Sequence, residues 1–249
     1  MAKAGRLGLG VIGAGAVGPV LAAAWAGAGH QLLGLHARSP ERHDSIAAMI
    51  PDVRFLSIAE LVERSELVVL AVPANELAAL VQSIADQGLW QPGQLVAHTA
   101  AEFGTEVLHP AIEAGVIPLA IHPAMSFSGT SLDLGRLKES WCAVTAPAPV
   151  LPIAQALVVE LGAEPVVIDE EDRPIYAEAI DTAKQFSTAL VNQSKALLAG
   201  IGVERPGRVL DQVFRSAVDL ALGETVRDTA DFYGFVDDIA DDFDSDAER

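Results

Sequence analysis

The sequence predicts an α/β protein: a doubly wound, mainly parallel sheet of about eight strands followed by a small all-helical C-terminal domain. Three observations predict it. Short apolar runs alternate with helical stretches through the first two thirds of the chain. A glycine-rich turn stands between the first such run and the first helix. Beyond the acidic run Asp169-Glu-Glu-Asp172 only helical periodicity remains.

The elements follow in order. Residues 7–12 read as the first strand, 16–28 as the first helix and 31–37 as the second strand. Residues 54–56 give a short third strand, and Ser57-Ile-Ala-Glu60 is a capping box that opens a helix. The fourth strand, 67–72, is stopped by Pro73, after which Asn75 caps a helix to about residue 87. A fifth strand (94–98), a helix (105–114) and a sixth strand (116–121) complete the main pattern. Strands near 141–145 and 165–168 flank a helix at 151–161. Pro174 then marks a boundary, with helices at 175–199 and 209–229 on either side of Pro206-Gly207. The expected domains are 1–168, 174–230 and an acidic, disordered tail at 237–249.

Composition narrows the function. A length of 249 residues with 51% hydrophobic content can bury a real core. The net charge of −18 argues against nucleic acid or an anionic membrane as partner, because both need a basic patch. Part of that charge is local: residues 237–249 hold seven acidic side chains against one arginine. Cys142 is the single cysteine, which excludes an internal disulfide and any Cys-based zinc site and fits a reducing, cytoplasmic compartment. Residues 7–29 carry no charge, but seven of these 23 positions are glycine, so the run reads as a buried strand and helix rather than a membrane span or signal.

Gly13-Ala-Gly15-Ala16-Val17-Gly18 is a GxGxxG element directly after a strand and before a helix. Gly13 permits the tight turn, Gly15 lets the backbone approach a pyrophosphate, Gly18 allows close packing of helix on strand, and the helix N-terminus attracts the anion. This is the dinucleotide fingerprint of a Rossmann domain. An NAD site usually places Asp or Glu at the end of the second strand, whereas here the chain reads His36-Ala-Arg38-Ser39-Pro-Glu-Arg42. Arg38, Ser39 and Arg42 can donate to a 2′-phosphate, so the sequence favours NADP over NAD. Val72 and Pro73, at the end of the fourth strand, complete the expected cofactor contacts.

These residues, with His98-Thr99 after the fifth strand and His122-Pro123 after the sixth, resemble the 6-phosphogluconate dehydrogenase-like superfamily, which includes β-hydroxyacid dehydrogenases, ketopantoate reductase and pyrroline-carboxylate reductase. The chain is most similar to a bacterial family that joins such a Rossmann domain to a small helical domain of unknown function. The likeness covers residues 7 to about 198. It implies a lysine on the first long helix of the second domain acting as acid or polariser at a substrate carbonyl, with an asparagine one turn later. Lys184 is at that place, with Thr188 one turn on and Gln185 where the family favours asparagine. On a helical projection Lys184 falls at the edge of an apolar stripe that includes Tyr176, Ile180, Leu190 and Leu197.

Ligands of open α/β sheets bind outside the carboxyl ends of the strands, which makes His98 and His122 candidate acids and Thr99 and Ser126 candidate hydroxyl donors to a substrate. His30, His36, His43 and His109 read as structural or exposed, and no cluster has metal-site spacing. The expected function is hydride transfer between NADP(H) and a small keto or hydroxy acid or an imine acid. The alternative is a non-catalytic NADP-binding sensor or scaffold. The two C-terminal helices carry enough apolar surface to predict a homodimer through them.

Overall fold

The computed structural model describes residues 6–223. Seven strands form one sheet in the order β2-β1-β3-β4-β5-β6-β7. The strands are β1 (Gly8–Ile12), β2 (Gln31–His36), β3 (Leu67–Leu70), β4 (Leu95–His98), β5 (Ile117–Pro123), β6 (Trp141–Thr145) and β7 (Glu164–Val167). The first five run parallel. β6 pairs antiparallel to β5, and β7 is parallel to β6. The fold is therefore the doubly wound α/β architecture expected, with one strand fewer. Residues 54–56 contribute only an isolated parallel bridge between Phe55 and Leu35, because the segment leaves β2 after one pairing to enter the next helix.

The helices flank the sheet on both faces. α1 (Gly18–Ala28), α2 (His43–Met49), α6 (Leu132–Leu137) and α7 (Leu151–Glu160) cover one face, whose core holds Val11, Leu21, Trp25, Val69, Leu119 and Val158. Trp25 is 1% exposed and donates from Nε1 to the Leu157 carbonyl at 2.9 Å, tying α1 to α7. α3 (Ile58–Arg64), α4 (Ala74–Asp86) and the short α5 (His109–Ile112) cover the other face, where Ile12, Val68, Leu70, Leu77 and Val96 meet. Strand alternation thus assigns side chains at Ile12, Leu70, His98 and His122 to one side of the sheet.

Local sequence explains most boundaries. Ser57 and Glu60 form the reciprocal capping box at the head of α3: Ser57 Oγ accepts the Glu60 N–H and Glu60 Oε2 accepts the Ser57 N–H. Gly29, at φ 98°, closes α1 in the left-handed conformation, donating to the carbonyls of Trp25 and Ala26. Two local expectations change. Asn75 does not cap α4: Pro73, extended at φ −53° and ψ 141°, is the residue that precedes the helix, which begins at Ala74, so Asn75 lies within the first turn. The helix expected at 105–114 is a 3₁₀ turn, Glu106–Leu108, followed by the four residues of α5, because Pro110 and Gly115 leave little room to propagate.

Two long helices end the described chain, α8 (Arg173–Gly200) and α9 (Pro206–Gly223). The chain divides into two compact units between Thr182 and Ala183, within α8. The end of the helix expected at 209–229 and the acidic tail at 237–249 lie outside the described residues. Among the described residues, no helix is long and apolar enough to cross a membrane.

Candidate functional site

The glycine turn forms where β1 ends. Gly13 takes φ 119°, and a Cβ there would overlap the Ala71 carbonyl; a Cβ on Gly18 would overlap the Gly13 carbonyl. Gly15 differs. It is exposed, its φ is not positive, and an added Cβ would meet nothing within 4 Å. Gly13 and Gly18 are thus demanded by the fold, while the space beside Gly15 is open to a ligand. The turn is tied down by Gly13 N–H to the His36 carbonyl (3.2 Å) and Ala71 N–H to the Ile12 carbonyl (2.8 Å).

Beside this turn lies a cavity of about 350 Å³. Its floor is Ile12 and the glycine turn through Gly15, one wall is His36, Arg38, Ser39 and Arg42, and the opposite wall is Ile58 with Val72, Pro73, Glu76 and Leu80. Gly13, Gly15, Arg38, Ser39, Arg42, Val72 and Pro73 therefore converge on one space. Ala16, Val17 and Gly18 do not line it. Val17 is the residue before α1, and Ala16 lies against Gly129 of the loop after β5.

Arg42 donates from Nη2 to the Gly15 carbonyl at 3.2 Å, while its Nε is buried without a hydrogen-bond partner. Arg38 pairs with Glu76, Nη2 to Oε2 at 2.7 Å, with side chains 71% and 41% exposed. An ion pair this exposed contributes about 0–1 kcal/mol, so Arg38 is easily released to a ligand. No carboxylate stands at the end of β2 itself. An open cradle at Gly15 and a cation-rich wall fit a dinucleotide, with its pyrophosphate against the turn and its adenosine end toward Arg38 and Arg42.

A second cluster lies farther along the carboxyl edge. Ile12, Leu70, His98 and Ala120 stand in register across β1, β3, β4 and β5, and His122 follows two residues after Ala120. His122 Nδ1 is 2.8 Å from Tyr176 Oη, and the two rings meet edge-on at 5.6 Å. Beside Tyr176 lies Arg173, a fully buried residue. Arg173 donates from Nε to Thr145 Oγ1 (2.7 Å) and from Nη2 to the carbonyls of Ala120 (3.1 Å) and Ala143 (3.3 Å). Its guanidinium carbon is 5.8 Å from the centre of the Tyr176 ring. Burial pushes the Tyr176 hydroxyl up to about 12 and the Arg173 guanidinium down to about 10, so at neutral pH the first is neutral and the second charged.

His98 is not such a group. It is fully buried, its Nδ1 accepts the Ala100 N–H (3.2 Å), and its Nε2 therefore carries the proton it donates to the Gly104 carbonyl (2.6 Å). Burial pushes its pKa down to about 4 against that hydrogen bond. The expectation that His98 offers an imidazole to a substrate is corrected: the ring closes the loop after β4. Glu170 anchors the far side of that loop, accepting from the Thr105 N–H (2.6 Å) and the Glu106 N–H (3.1 Å). Thr99 is half-buried, with its N–H on the Leu70 carbonyl. Ser126 is exposed on a loop that the buried Asp133 holds by accepting from the Ser128 and Gly129 N–H groups. Lys184 is exposed on α8 and belongs to the second unit. Among the described residues, no group of side chains could hold a metal ion.

Glu76, Tyr176 and Arg173 were not legible as site residues. Glu76 looks like an ordinary first-turn acid, and Tyr176 falls into the apolar stripe of its helix. An arginine directly before Pro174 at the head of a long helix was the available signal.

Residues 1–123 match the Rossmann-like domain, and residues 140–229 match a domain of unknown function, DUF2520. The chain belongs to the proteins that join these two domains. Comparison with curated proteins finds no match. Several solved structures share the fold. A Bacteroides fragilis protein named as a candidate NADP oxidoreductase is 20% identical, with 86% of this chain and 80% of that chain covered at a TM-score of 0.71. An imine reductase from a Pseudomonas species is 16% identical over 88% and 76% of the two chains, with a TM-score of 0.66. The Plasmodium falciparum pyrroline carboxylate reductase, solved with NADP bound, is 13% identical over 89% and 82%, with a TM-score of 0.63.

Proposed function

We propose that the protein is an NADP-dependent oxidoreductase that moves hydride between NADP(H) and a small keto or hydroxy acid or an imine acid. The observation that carries this reading is the cavity beside the open Gly15, walled by Arg38, Ser39 and Arg42 with no carboxylate at the end of β2. The kinds of protein that share the fold support it, since they include an imine reductase and a pyrroline carboxylate reductase with NADP bound. The bound cofactor supplies or accepts the hydride at its nicotinamide ring.

The chain's own part is binding and proton supply. Residues 1–168 hold the dinucleotide, and the region 174–230 serves substrate binding and homodimer contact. The Tyr176 hydroxyl, kept neutral by burial, and His122 share one hydrogen bond and hold a proton at the carboxyl end of β5. Thr99 and Ser126 are the hydroxyls on neighbouring loops. Lys184, exposed on α8, is the remaining candidate donor.

The closure of His98 into its own loop favours a second reading, a sensor that binds NADP without turnover, because it removes one of the expected acids. Titration of NADPH and NADH by fluorescence, followed by a panel of 2-keto acids, 3-hydroxy acids and cyclic imine acids read by NADPH absorbance, separates the two. Tighter binding of NADPH with turnover of one class supports the enzyme. Binding without turnover supports the sensor, and equal affinity for both cofactors sinks the NADP assignment.

A further inference from the structure

Glu76 stands where an NADP site has no evident use for a carboxylate. It lies in the first turn of α4, after β3, and reaches Arg38, after β2, at 2.7 Å. In the sheet β1 lies between β2 and β3, so the pair spans the end of β1, where the glycine turn begins. Both residues line the same cavity as Ser39 and Arg42. Both are also partly exposed, so nothing in the packing fixes the pair.

We propose that Glu76 is a specificity-determining residue: its carboxylate competes with the 2′-phosphate of the cofactor for Arg38 and so tempers the preference for NADP over NAD. This rests on the proposed binding of NADP at the cavity. A phosphate dianion offers Arg38 two-pronged, charge-assisted hydrogen bonds and displaces a single exposed carboxylate. Glu76 is then left as a like charge near the phosphate, and its repulsion persists in the bound state. The unphosphorylated dinucleotide has no dianion at that place and meets neither the competition nor the repulsion. Because the site is open to water, screening limits the effect to about three- to tenfold in affinity.

The test is the ratio of the NADH to the NADPH dissociation constant in the wild type, Glu76→Gln, Arg38→Ala and the double variant, at low salt and at about 0.5 M salt. Glu76→Gln is expected to raise the ratio about three- to tenfold at low salt and less at high salt, with a smaller rise when Arg38 is already alanine. A ratio that stays level or falls in Glu76→Gln, while the wild type still binds NADPH, overturns the inference and leaves the cofactor assignment standing. An equal rise in the Arg38→Ala background overturns the competition, since no arginine would remain to compete for. If neither dinucleotide binds the wild type or Glu76→Gln, the proposed function itself fails and this inference with it.

Discussion

The Tyr176 hydroxyl stands 2.8 Å from His122 Nδ1, and this one bond joins the first turn of α8 to the carboxyl end of β5. Arg173, one turn of chain before Tyr176, is bonded to the Ala120 carbonyl of that strand. The head of the long helix is thereby fixed to the sheet edge by a buried cation and a phenol.

If that pair supplies the proton, His122→Ala should lower kcat/KM by about 10²-fold, the usual scale for a positioned acid, with the NADPH dissociation constant nearly unchanged. Tyr176→Phe, which keeps the ring and removes the hydroxyl, should act in the same direction. Since the Tyr176 hydroxyl is pushed up to about 12, its ionisation should add no alkaline limb to the rate profile below about pH 11. Steady-state rates with a competent substrate check all three. Unchanged turnover in both variants would remove the pair from the mechanism.

Two glycines of the fingerprint, Gly15 and Gly18, should separate by property. Gly15 has open space at its Cβ position and an ordinary φ, so Gly15→Val should leave the melting temperature within about 2 °C while weakening NADPH binding at least tenfold. Gly18→Ala should do the reverse in order of severity: its methyl would overlap the Gly13 carbonyl, costing roughly 1–3 kcal/mol of stability. Thermal melts and NADPH titrations of both variants are the check. A Gly15→Val protein that binds NADPH like the wild type would mean the cofactor does not lie on this turn.

The sheet and the glycine turn were legible because strand burial and the GxGxxG spacing are properties of neighbouring residues. Ser57 and Glu60 were legible for the same reason, since their capping box closes within four residues. The site's other half depends on distant pairs. Arg38 and Glu76 are 38 positions apart and His122 and Tyr176 are 54 apart, so no local pattern joins them. His98 misled because a histidine ending a buried strand has the same sequence context whether it faces a crevice or folds back onto Gly104. The antiparallel turn of β6 also has no local sign, as an apolar strand reads alike in both directions.

α8 and α9 carry large apolar side chains at Phe186, Leu190, Leu197, Val209, Val213 and Leu220, each more than half exposed in the single chain. Exposed apolar side chains in such number mark a contact with another surface. A closed, two-fold contact between copies of this chain is the simplest way to cover them. The protein is expected to sediment as a dimer at micromolar concentration, and Phe186→Glu with Leu190→Glu to sediment as a monomer. A wild-type monomer at that concentration would count decisively against the dimer.

His98 makes a prediction about stability rather than catalysis. Its pKa is pushed down to about 4 by burial, from an ordinary 6.5, so the folded protein resists protonating it. Above pH 6.5 the ring is neutral in both states and its contribution to stability is fully present. As the pH falls below 6.5 the unfolded chain takes up the proton and the folded chain does not, so stability is lost down to about pH 4. The shift corresponds to a loss of roughly 3 kcal/mol across that window. Carboxylates titrate in the lower part of it, so the comparison must be made against a variant. His98→Gln can still donate to the Gly104 carbonyl and accept from Ala100, but it does not titrate. Urea unfolding midpoints measured from pH 7 to 5 should fall more steeply for the wild type than for His98→Gln. Parallel slopes would mean that the imidazole reaches water in the folded protein, and would return His98 to the list of residues able to meet a substrate.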